Sequence, residues 1–227
     1  MSSGNIGPRS GTNSQTGEAV EEIRAFEGQH CCGRTFLAAG MVEKARARLS
    51  ALVDDIAPLA KAGIAIVGLE PSCLLTLRDE ALVMGLGDKA RVVANQALLF
   101  EEFIAREARA GRFQLPFRPA AKPVLLHGHC HQKAFGAVPA ILDLLRLIPG
   151  AEPQLIETSC CGMAGSFGYN AEHYDVSLRM AELSLLPALR ARPDAIIVAD
   201  GTSCRHQIAD GADRQAIHVA SLLDQLC

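Results

Sequence analysis

The sequence has 227 residues, 49% of them hydrophobic, enough for one compact α/β domain or two small ones. Its 22 Lys and Arg residues against 25 Asp and Glu give a formal net charge of −3, which argues against nucleic acid as the main partner. No apolar run is long enough for a transmembrane helix and no signal peptide is recognisable, so the expected compartment is the cytoplasm. Because disulfides are uncommon in a reducing compartment, the eight cysteines are the feature to explain.

The first half begins with a polar tail and continues as a globular α/β pattern. Residues 1–20 are rich in Ser, Gly, Asn and Thr, which predicts disorder. Hydrophobic periodicity and turn residues then predict, in chain order, a helix over 41–62 ended by Gly63, a buried strand over 64–67, a loop over 70–73, a short helix, a longer helix near 89–110 and a linker over 111–123.

The second half repeats this kind of alternation. The predicted elements are a strand over 124–126, a helix over 133–147, a strand over 154–156, a helix over 171–191 with a kink or a break expected at Pro187, strands over 195–198 and 216–219, and a last helix. Strands that alternate with helices are typical of a parallel sheet, so the predicted fold class is α/β.

Cysteines recur in the same order in both halves. Cys31-Cys32-Gly33 is followed by Cys73, and Cys160-Cys161-Gly162 is followed by Cys204 at nearly the same spacing. In both halves the late cysteine comes after a strand-like run, an acidic residue and a serine. This pattern indicates a duplicated unit.

The second unit is the more complete of the two. It also contains Cys130, which precedes Cys160 by 30 residues, whereas the same interval before Cys31 reaches the polar tail. We therefore expect an incomplete repeat over 21–115, shortened at its N-terminus, and a complete repeat over 116–227. Two related parallel-sheet lobes with flanking helices are predicted, and Cys227 belongs to neither cysteine set.

The cysteines of the second repeat are expected to meet at one edge of a sheet. Cys130, the Cys160-Cys161 pair and Cys204 each follow a predicted strand, and ligands gather beyond the carboxyl ends of parallel strands. Four thiolates in one place suit an iron–sulfur cluster or a tetrahedral zinc ion. Two adjacent cysteines rarely fit two corners of one small tetrahedron, which favours the cluster. Buried unliganded cysteines and disulfides are the other interpretations.

Three histidines alternate around Cys130. In an extended chain His127, His129 and His131 would point to one face. His129 and His131 are candidate neighbours of a metal, with hydrogen bonding to the sheet edge as the alternative, and His127 is interpreted as structural. Arg205 is a third candidate neighbour, because its charge could offset that of a cluster, with a solvated arginine as the alternative. No residue is assigned as a catalytic acid or base.

The motifs around these cysteines resemble those of a known family. Gly128–His131, Cys160–Gly168 and Asp200–Cys204 resemble the cysteine-rich CCG domain, found in a subunit of heterodisulfide reductase and in the glycolate oxidase iron–sulfur subunit. This copy is most similar to the C-terminal part of FAD-linked oxidases fused to iron–sulfur domains, of the D-lactate or D-2-hydroxyglutarate dehydrogenase type. The resemblance covers roughly residues 26–225.

The resemblance implies an iron–sulfur cluster, with 4Fe–4S as the expected form. The family's fullest motif ends in Cys-x-x-Cys, whereas here the earlier position is Gly201 in the second repeat and Glu70 in the first. This departure argues for an ordinary four-cysteine site over the double cluster of heterodisulfide reductase. The implied ligands are Cys130, Cys160, Cys161 and Cys204, with Cys31, Cys32 and Cys73 as the matching set of the first repeat.

The function that the resemblance implies is electron transfer within a flavin-dependent 2-hydroxy-acid oxidase or dehydrogenase system. The sequence has neither a flavin domain nor a ferredoxin-like Cys-x-x-Cys-x-x-Cys segment, so FAD is expected on a partner or a missing domain. The expected acceptor is a quinone or another carrier, with the inner face of the membrane as a peripheral location. The alternatives are a zinc-stabilised, non-redox interaction domain and a truncated remnant without metal.

Overall fold

Two separate parallel sheets, one in each half of the chain, organise the protein. The computed structural model describes Ala25, Phe26 and His30–Cys227, so the predicted tail over 1–20 lies outside the described residues. Cys31–Cys227 form one compact unit that holds both sheets. We call residues 31–115 the first lobe and residues 116–227 the second lobe. The α/β prediction is confirmed, while the boundaries of the two repeats stay predictions.

The first lobe consists of helices around a two-stranded parallel sheet in which Ile66 pairs with Ala97. Its elements are α1 (Arg34–Ala38), α2 (Val42–Lys61), β1 (Ile66–Gly68), α3 (Pro71–Arg78), α4 (Glu80–Val83), α5 (Asp88–Gln96), β2 (Ala97–Leu99) and α6 (Phe100–Arg109).

Two of the predictions for the first lobe are wrong. The single helix near 89–110 is divided by β2, because the apolar run Ala97–Leu99 pairs with β1 instead of continuing the helix. The loop expected at 70–73 is the start of α3. Glu70 caps that helix by accepting the Ser72 N–H at 3.4 Å, and Pro71, which has no N–H to leave unpaired, takes the first helical position.

The second lobe contains a four-stranded parallel sheet in the order β4-β3-β5-β6. Its elements are β3 (Val124–Leu126), α7 (Cys130–Ala134), α8 (Val138–Leu145), β4 (Pro153–Leu155), two 3-10 turns (Phe167–Tyr169 and Ala171–His173), α9 (Tyr174–Glu182), α10 (Leu185–Arg190), β5 (Ile196–Val198), α11 (Thr202–Ala212), β6 (Ala216–Ile217) and α12 (Val219–Leu226).

Helices cover both faces of this sheet. All three residues of β3 are buried: Leu125 joins a cluster with residues of α10 and α11, while Val124 and Leu126 join a cluster with residues of α8 and α12. A central parallel strand that is buried on both faces reads as a continuous apolar run, which is why the sequence predicts this strand at its observed position.

Two predicted helices of the second lobe are each divided in the structure. The single helix predicted over 133–147 is wrong: it is two helices, because the chain turns at Gly136 with φ +66°. The helix over 171–191 begins as a 3-10 turn, and its expected break occurs between α9 and α10, shortly before Pro187. Pro187 is the third residue of α10, where a backbone N–H has no partner within the helix, so its ring is accommodated.

Hydrogen bonds join the two lobes beside the cysteine-bearing turns. The carboxylate of Glu70 in the first lobe accepts the backbone N–H of Thr202 at 2.9 Å and its hydroxyl at 2.8 Å. Nε2 of His218 lies 2.9 Å from the carbonyl oxygen of Leu69. Within the described part of the chain, no helix combines the length and apolar character needed to cross a membrane.

Candidate metal centre

Three cysteine-bearing segments meet at one edge of the second sheet. Cys130 opens α7 shortly after β3, the Cys160-Cys161 pair follows β4, and Cys204 lies in the first turn of α11 after β5. Because β4, β3 and β5 are adjacent and parallel, their carboxyl ends lie side by side. The adjacency of these three strands, on which convergence of the four thiols depends, is thus present in the structure.

The four thiols of this edge interact one after another. Cys160 interacts with Cys130 and Cys161, and Cys161 interacts in turn with Cys204. The Cys130 thiol lowers the pKa of Cys160, and the Cys161 thiol lowers that of Cys204. Their neighbours Cys160 and Cys204 keep the protons on Cys130 and Cys161, whose pKa values are raised. The four thiols therefore form one row in which each interacts with its neighbours.

Each Cys-Cys-Gly turn is shaped by its glycine. The Gly162 N–H donates to the Cys160 sulfur at 3.3 Å, and the Gly33 N–H donates to the Cys31 sulfur at 3.4 Å. Both glycines have positive φ, +96° and +79°. A Cβ at Gly162 would lie 2.2 Å from the Ser177 carbonyl oxygen of α9, and one at Gly33 would lie 2.6 Å from a carbonyl oxygen of α2. Glycine is required because a helix backbone packs against the turn.

The first lobe holds a smaller and more exposed cysteine set. Cys31 is exposed, Cys32 is 8% exposed, and Cys73 is exposed in the first turn of α3. The Cys73 thiol lowers the pKa of Cys32 to about 7, while the hydrogen bond with Cys32 raises the pKa of Cys73. The structure thus brings Cys32 and Cys73 together, as it does the sulfurs of the second lobe.

Both cysteine sets border one cleft of about 570 Å³. Its walls include Cys73 and Arg34 from the first lobe and Cys130, Cys160 and Cys161 from the second. The two halves therefore present their sulfurs towards a shared space rather than on opposite sides of the molecule.

The position where the family has an additional cysteine is sterically occupied. His129 is 5% exposed, and its Cδ2 atom would lie only 2.4 Å from a Cβ built at Gly201. The imidazole of His129 thus fills the space that a side chain at 201 would need. The equivalent residue of the first lobe, Glu70, instead bonds Thr202 across the lobes. Each residue that stands where the fullest motif has a cysteine thus has a defined contact: Gly201 with the ring of His129, and Glu70 with Thr202.

Of the three alternating histidines, His129 and His131 line the cleft with their ring centroids 5.1 Å apart, while His127 is buried. His129 is the N-terminal cap of α7, where its Nδ1 accepts the His131 N–H at 3.2 Å and lies 4.0 Å from the Cys130 sulfur. His131 is inside α7, and its Nε2 lies 3.0 Å from a guanidinium nitrogen of Arg34. Burial lowers the pKa of His131 to about 4, so its imidazole is neutral and accepts from the arginine.

Arg205, predicted as a neighbour of the metal, is bonded to backbone oxygens. Its guanidinium donates to the carbonyl oxygens of Ala199 at 3.0 Å and Asp200 at 2.6 Å, and to the Thr202 hydroxyl at 3.2 Å. These bonds hold the turn between β5 and α11, and they position Cys204 through the backbone.

Sequence reasoning missed two side chains that face the sulfurs, His127 and Lys133. One ring nitrogen of His127 and the sulfurs of Cys161 and Cys204 all lie within 4.8 Å of one another, and all three residues are buried. Lys133 donates from Nζ to the Thr158 carbonyl oxygen at 2.6 Å and hydroxyl at 2.8 Å. The only sequence signals for them were proximity to Cys130 and, for His127, a place directly after a buried strand.

Known protein families contain the same cysteine pattern. The family described as CCG, cysteine-rich domain, matches residues 11–78 and 124–209, one segment from each half of the chain. The chain belongs to the CCG cysteine-rich domain family. The predicted resemblance is therefore confirmed, and each of the two matched segments contains one Cys-Cys-Gly turn.

Curated relatives of this CCG protein are named as dehydrogenases. It is 28% identical to a protein of Escherichia coli K12 named as a subunit of anaerobic glycerol-3-phosphate dehydrogenase, over 205 residues that are 89% of this chain and 51% of that protein. It is 30% identical to the D-2-hydroxyglutarate dehydrogenases of E. coli K12, covering 68% of this chain, and of Pseudomonas putida, covering 70%. The chain spans about half the length of the glycerol-3-phosphate dehydrogenase subunit and 15% of either D-2-hydroxyglutarate dehydrogenase.

The donors of the CCG protein fit a sulfur-ligated metal. The second lobe offers four mutually interacting thiols, of which Cys161 is 4% and Cys204 is 2% exposed. Thiolates are the ligands of iron–sulfur clusters and of structural zinc sites. A row of four interacting thiols, two of them buried, beside the cation of Lys133 suits such a group.

Proposed function

We propose that this CCG protein holds an iron–sulfur cluster on Cys130, Cys160, Cys161 and Cys204 and transfers electrons for a flavin-dependent dehydrogenase. The observation that carries the proposal is the meeting of four interacting thiols at the ends of three adjacent strands. When bound, the cluster would supply one-electron transfer between a flavin and an acceptor such as a quinone. Relatives that are named as dehydrogenases support the redox assignment.

The orientation of the adjacent pair favours a cluster over a single zinc ion. Cys160 interacts with Cys130 on one side, whereas Cys161 interacts with Cys204 on the other. The two sulfurs of the pair also interact with each other, so the four thiols form one row of neighbouring sulfurs. A cluster with several irons can take ligands from such a row, and 4Fe–4S is the form that we propose.

Side chains and backbone N–H groups of this chain would compensate the negative charge of the ligands. Gly162 donates its N–H to the Cys160 sulfur, and the cation of Lys133 lies near all four thiols of the second lobe. Lys133 is in turn fixed to the carbonyl oxygens of Thr158 and Ser159 at 2.6 and 3.1 Å. Hydrogen bonds and charge around the sulfurs set the potential of iron–sulfur centres, so we assign these residues to tuning.

Cys31, Cys32 and Cys73 are proposed as the matching but smaller ligand set of the first lobe. They border the same cleft through Cys73, and Cys32 and Cys73 interact as the sulfurs of the second lobe do. His129 and His131, on the second-lobe side of the cleft, are proposed as polar neighbours of the ligands.

The partner that we propose is a flavoprotein that oxidises a 2-hydroxy acid, with FAD bound outside the residues described above. The relatives named D-2-hydroxyglutarate dehydrogenase support this choice of substrate class. If the acceptor is a membrane quinone, the protein would work in the cytoplasm at the inner face of the membrane.

A zinc-stabilised interaction domain is the second candidate, and the trio of His127, Cys161 and Cys204 favours it. Their ligand atoms lie within 4.8 Å of one another, and a histidine with two cysteines is a common zinc ligand set. The third candidate is a remnant that folds without metal.

Reduction and reoxidation of the anaerobically purified protein test the electron-transfer role. We expect a brown protein whose visible absorption is bleached by dithionite and restored by the quinone menadione, which takes two electrons and two protons to become the quinol. Cys227→Ser is the matched control, because Cys227 is exposed and belongs to neither cysteine set. A colourless protein with one zinc, or a folded protein without metal, would contradict the proposal and support the second or third candidate.

A further inference from the structure

A buried histidine, His127, lies beside the sulfurs of the second lobe. His127 is 1% exposed and directly follows β3. Its Nδ1 lies 3.1 Å from the Thr158 hydroxyl oxygen. Its Nε2 is buried and has no hydrogen-bond partner among the described residues. A buried ring nitrogen without a partner is costly. One ring nitrogen of His127 lies within 4.8 Å of the sulfurs of Cys161 and Cys204, and because Nδ1 is beside Thr158, Nε2 is the nitrogen left to interact with them.

The surroundings of Thr158 decide which ring nitrogen carries the proton. Lys133 donates to the Thr158 hydroxyl oxygen at 2.8 Å, and the hydroxyl keeps its own hydrogen to donate. Among the described hydrogen bonds, Nδ1 of His127 is the acceptor in reach of that hydrogen. A neutral imidazole that accepts at Nδ1 has its proton on Nε2.

The opposite tautomer would leave two groups unsatisfied. With the proton on Nδ1, His127 would donate to Thr158, and the Thr158 hydroxyl hydrogen would have no acceptor among the described residues. The lone pair of Nε2 would then face electron-rich sulfur. The Nε2–H form satisfies both groups, since a thiolate sulfur accepts hydrogen bonds.

We propose that His127 donates its Nε2–H to the sulfurs of Cys161 and Cys204 and thereby raises the reduction potential of the centre that they hold. This inference rests on the proposed iron–sulfur function and makes His127 a positioning residue rather than a fifth ligand. Reduction adds negative charge, which a hydrogen bond to a ligand sulfur offsets. In the metal-free chain the same contact helps to lower the pKa of Cys204, after the larger effect of Cys161.

The tautomer can be read without any metal. Long-range ¹⁵N–¹H correlation spectra of the reduced, metal-free protein show which of the two ring nitrogens carries the proton. The His127 signals are assigned by their loss in His127→Gln. The expected result is the Nε2–H form. The Nδ1–H form would overturn the inference and leave the iron–sulfur proposal intact.

The effect on potential is tested with His127→Phe, which keeps the ring volume and removes the donor. We expect its iron and sulfide content to equal that of the wild type, with one-electron reduction about tenfold less favourable, a negative shift of about 59 mV. His127→Gln keeps an N–H donor and should recover most of the shift. His206→Phe, at an exposed histidine of α11 that pairs with Tyr169, should leave the potential unchanged.

Thr158→Val provides a second route if the phenylalanine variant does not fold. It removes the hydroxyl that donates to Nδ1 and keeps the imidazole, so the potential should shift in the same direction by a smaller amount. An unchanged potential in His127→Phe, or a folded His127→Phe protein without iron, would overturn the inference. The second result would identify His127 as a ligand. A wild-type protein without iron would instead overturn the proposed function, whatever the tautomer.

Discussion

In the second lobe, Cys161 and Cys204 are almost completely buried beneath helices that cover both faces of a four-stranded sheet. In the first lobe, the same turn motif stands beside a two-stranded sheet, and Cys31 and Cys73 are exposed. A dry, buried environment protects a sulfur-ligated centre and strengthens the hydrogen bonds around it. The Cys-Cys-Gly turn therefore fixes where the sulfurs lie, whereas the surrounding sheet and helices determine how deeply the sulfurs are buried.

The two lobes also differ in what their departures from the family motif do. Gly201 in the second lobe leaves room for the ring of His129, which lines the cleft beside Cys130. Glu70 in the first lobe uses its carboxylate to bond Thr202 of the second lobe. Burial raises the pKa of Glu70, but hydrogen bonds from Thr202 and Ser72 outweigh it and lower the pKa overall. One departure thus shapes the candidate centre, and the other joins the lobes.

Removal of single sulfurs should give the largest difference between the lobes. Cys204→Ser should lose most of the bound iron, because it removes a buried member of the four-thiol edge. Cys73→Ser should keep the iron of the second lobe, and Cys227→Ser should keep all of it. Iron per chain after anaerobic purification measures the effect. Equal iron content in Cys204→Ser and Cys227→Ser would refute the ligand assignment.

Replacement of the turn glycines by alanine should destabilise the Cys-Cys-Gly turn of each lobe in the same way. Gly162→Ala and Gly33→Ala place a Cβ 2.2 and 2.6 Å from a helix carbonyl oxygen, in addition to the strain of positive φ. We expect each to lower the free energy of unfolding of the metal-free protein by about 3 kcal/mol. Gly63→Ala is the control, since it has φ +79° and nothing within 4 Å, and it should cost about 1 kcal/mol. Urea unfolding that finds no difference between Gly162→Ala and Gly63→Ala would contradict this account.

A buried carboxyl at the boundary between the lobes should make stability depend on pH. Glu101 of the first lobe is fully buried and accepts from the Gln132 amide, which also donates to Asp200 at 2.9 Å. Burial, and next the charge of Asp200, raise the pKa of Glu101 from 4.5 to about 8. The unfolded chain therefore loses this proton at lower pH than the folded one, so the stability contribution is lost as pH rises from 4.5 to about 8.

Glu101→Gln isolates this pH dependence, because glutamine keeps the shape and has no proton to lose. Relative to the wild type, the variant should gain stability as pH rises through that window, with a limiting slope of about 1.4 kcal/mol per pH unit. Urea unfolding of both metal-free proteins at several pH values gives the difference. A difference that does not change with pH would show that Glu101 ionises normally in the folded protein.

The parts of the fold that the sequence predicts best are those fixed by local patterns. The run Val124–Leu126 is apolar throughout because both faces of the strand are covered, and its predicted bounds are the observed ones. By contrast, Ala97–Leu99 continues a helical pattern and becomes a strand through pairing with Ile66–Gly68. Such a long-range pairing leaves no signal in the segment itself.

Contacts made by the candidate centre were harder to predict for the same reason. His127 was interpreted as structural because its neighbours Thr158 and Cys204 are distant in sequence and meet it only after the sheet forms. The sequence shows that glycine stands at position 201 in place of the family's cysteine. It does not show the steric reason, the ring of His129, because His129 follows a different strand.

The iron–sulfur cluster proposed on the four thiols of the second lobe can be tested by its composition. Iron and acid-labile sulfide per chain, measured on the anaerobically purified protein beside Cys160→Ser, test it most directly. The account predicts iron and sulfide in similar amounts in the wild type and the loss of most of both in the variant. A wild-type protein that contains zinc without sulfide, or a variant that keeps its full iron and sulfide, would contradict it.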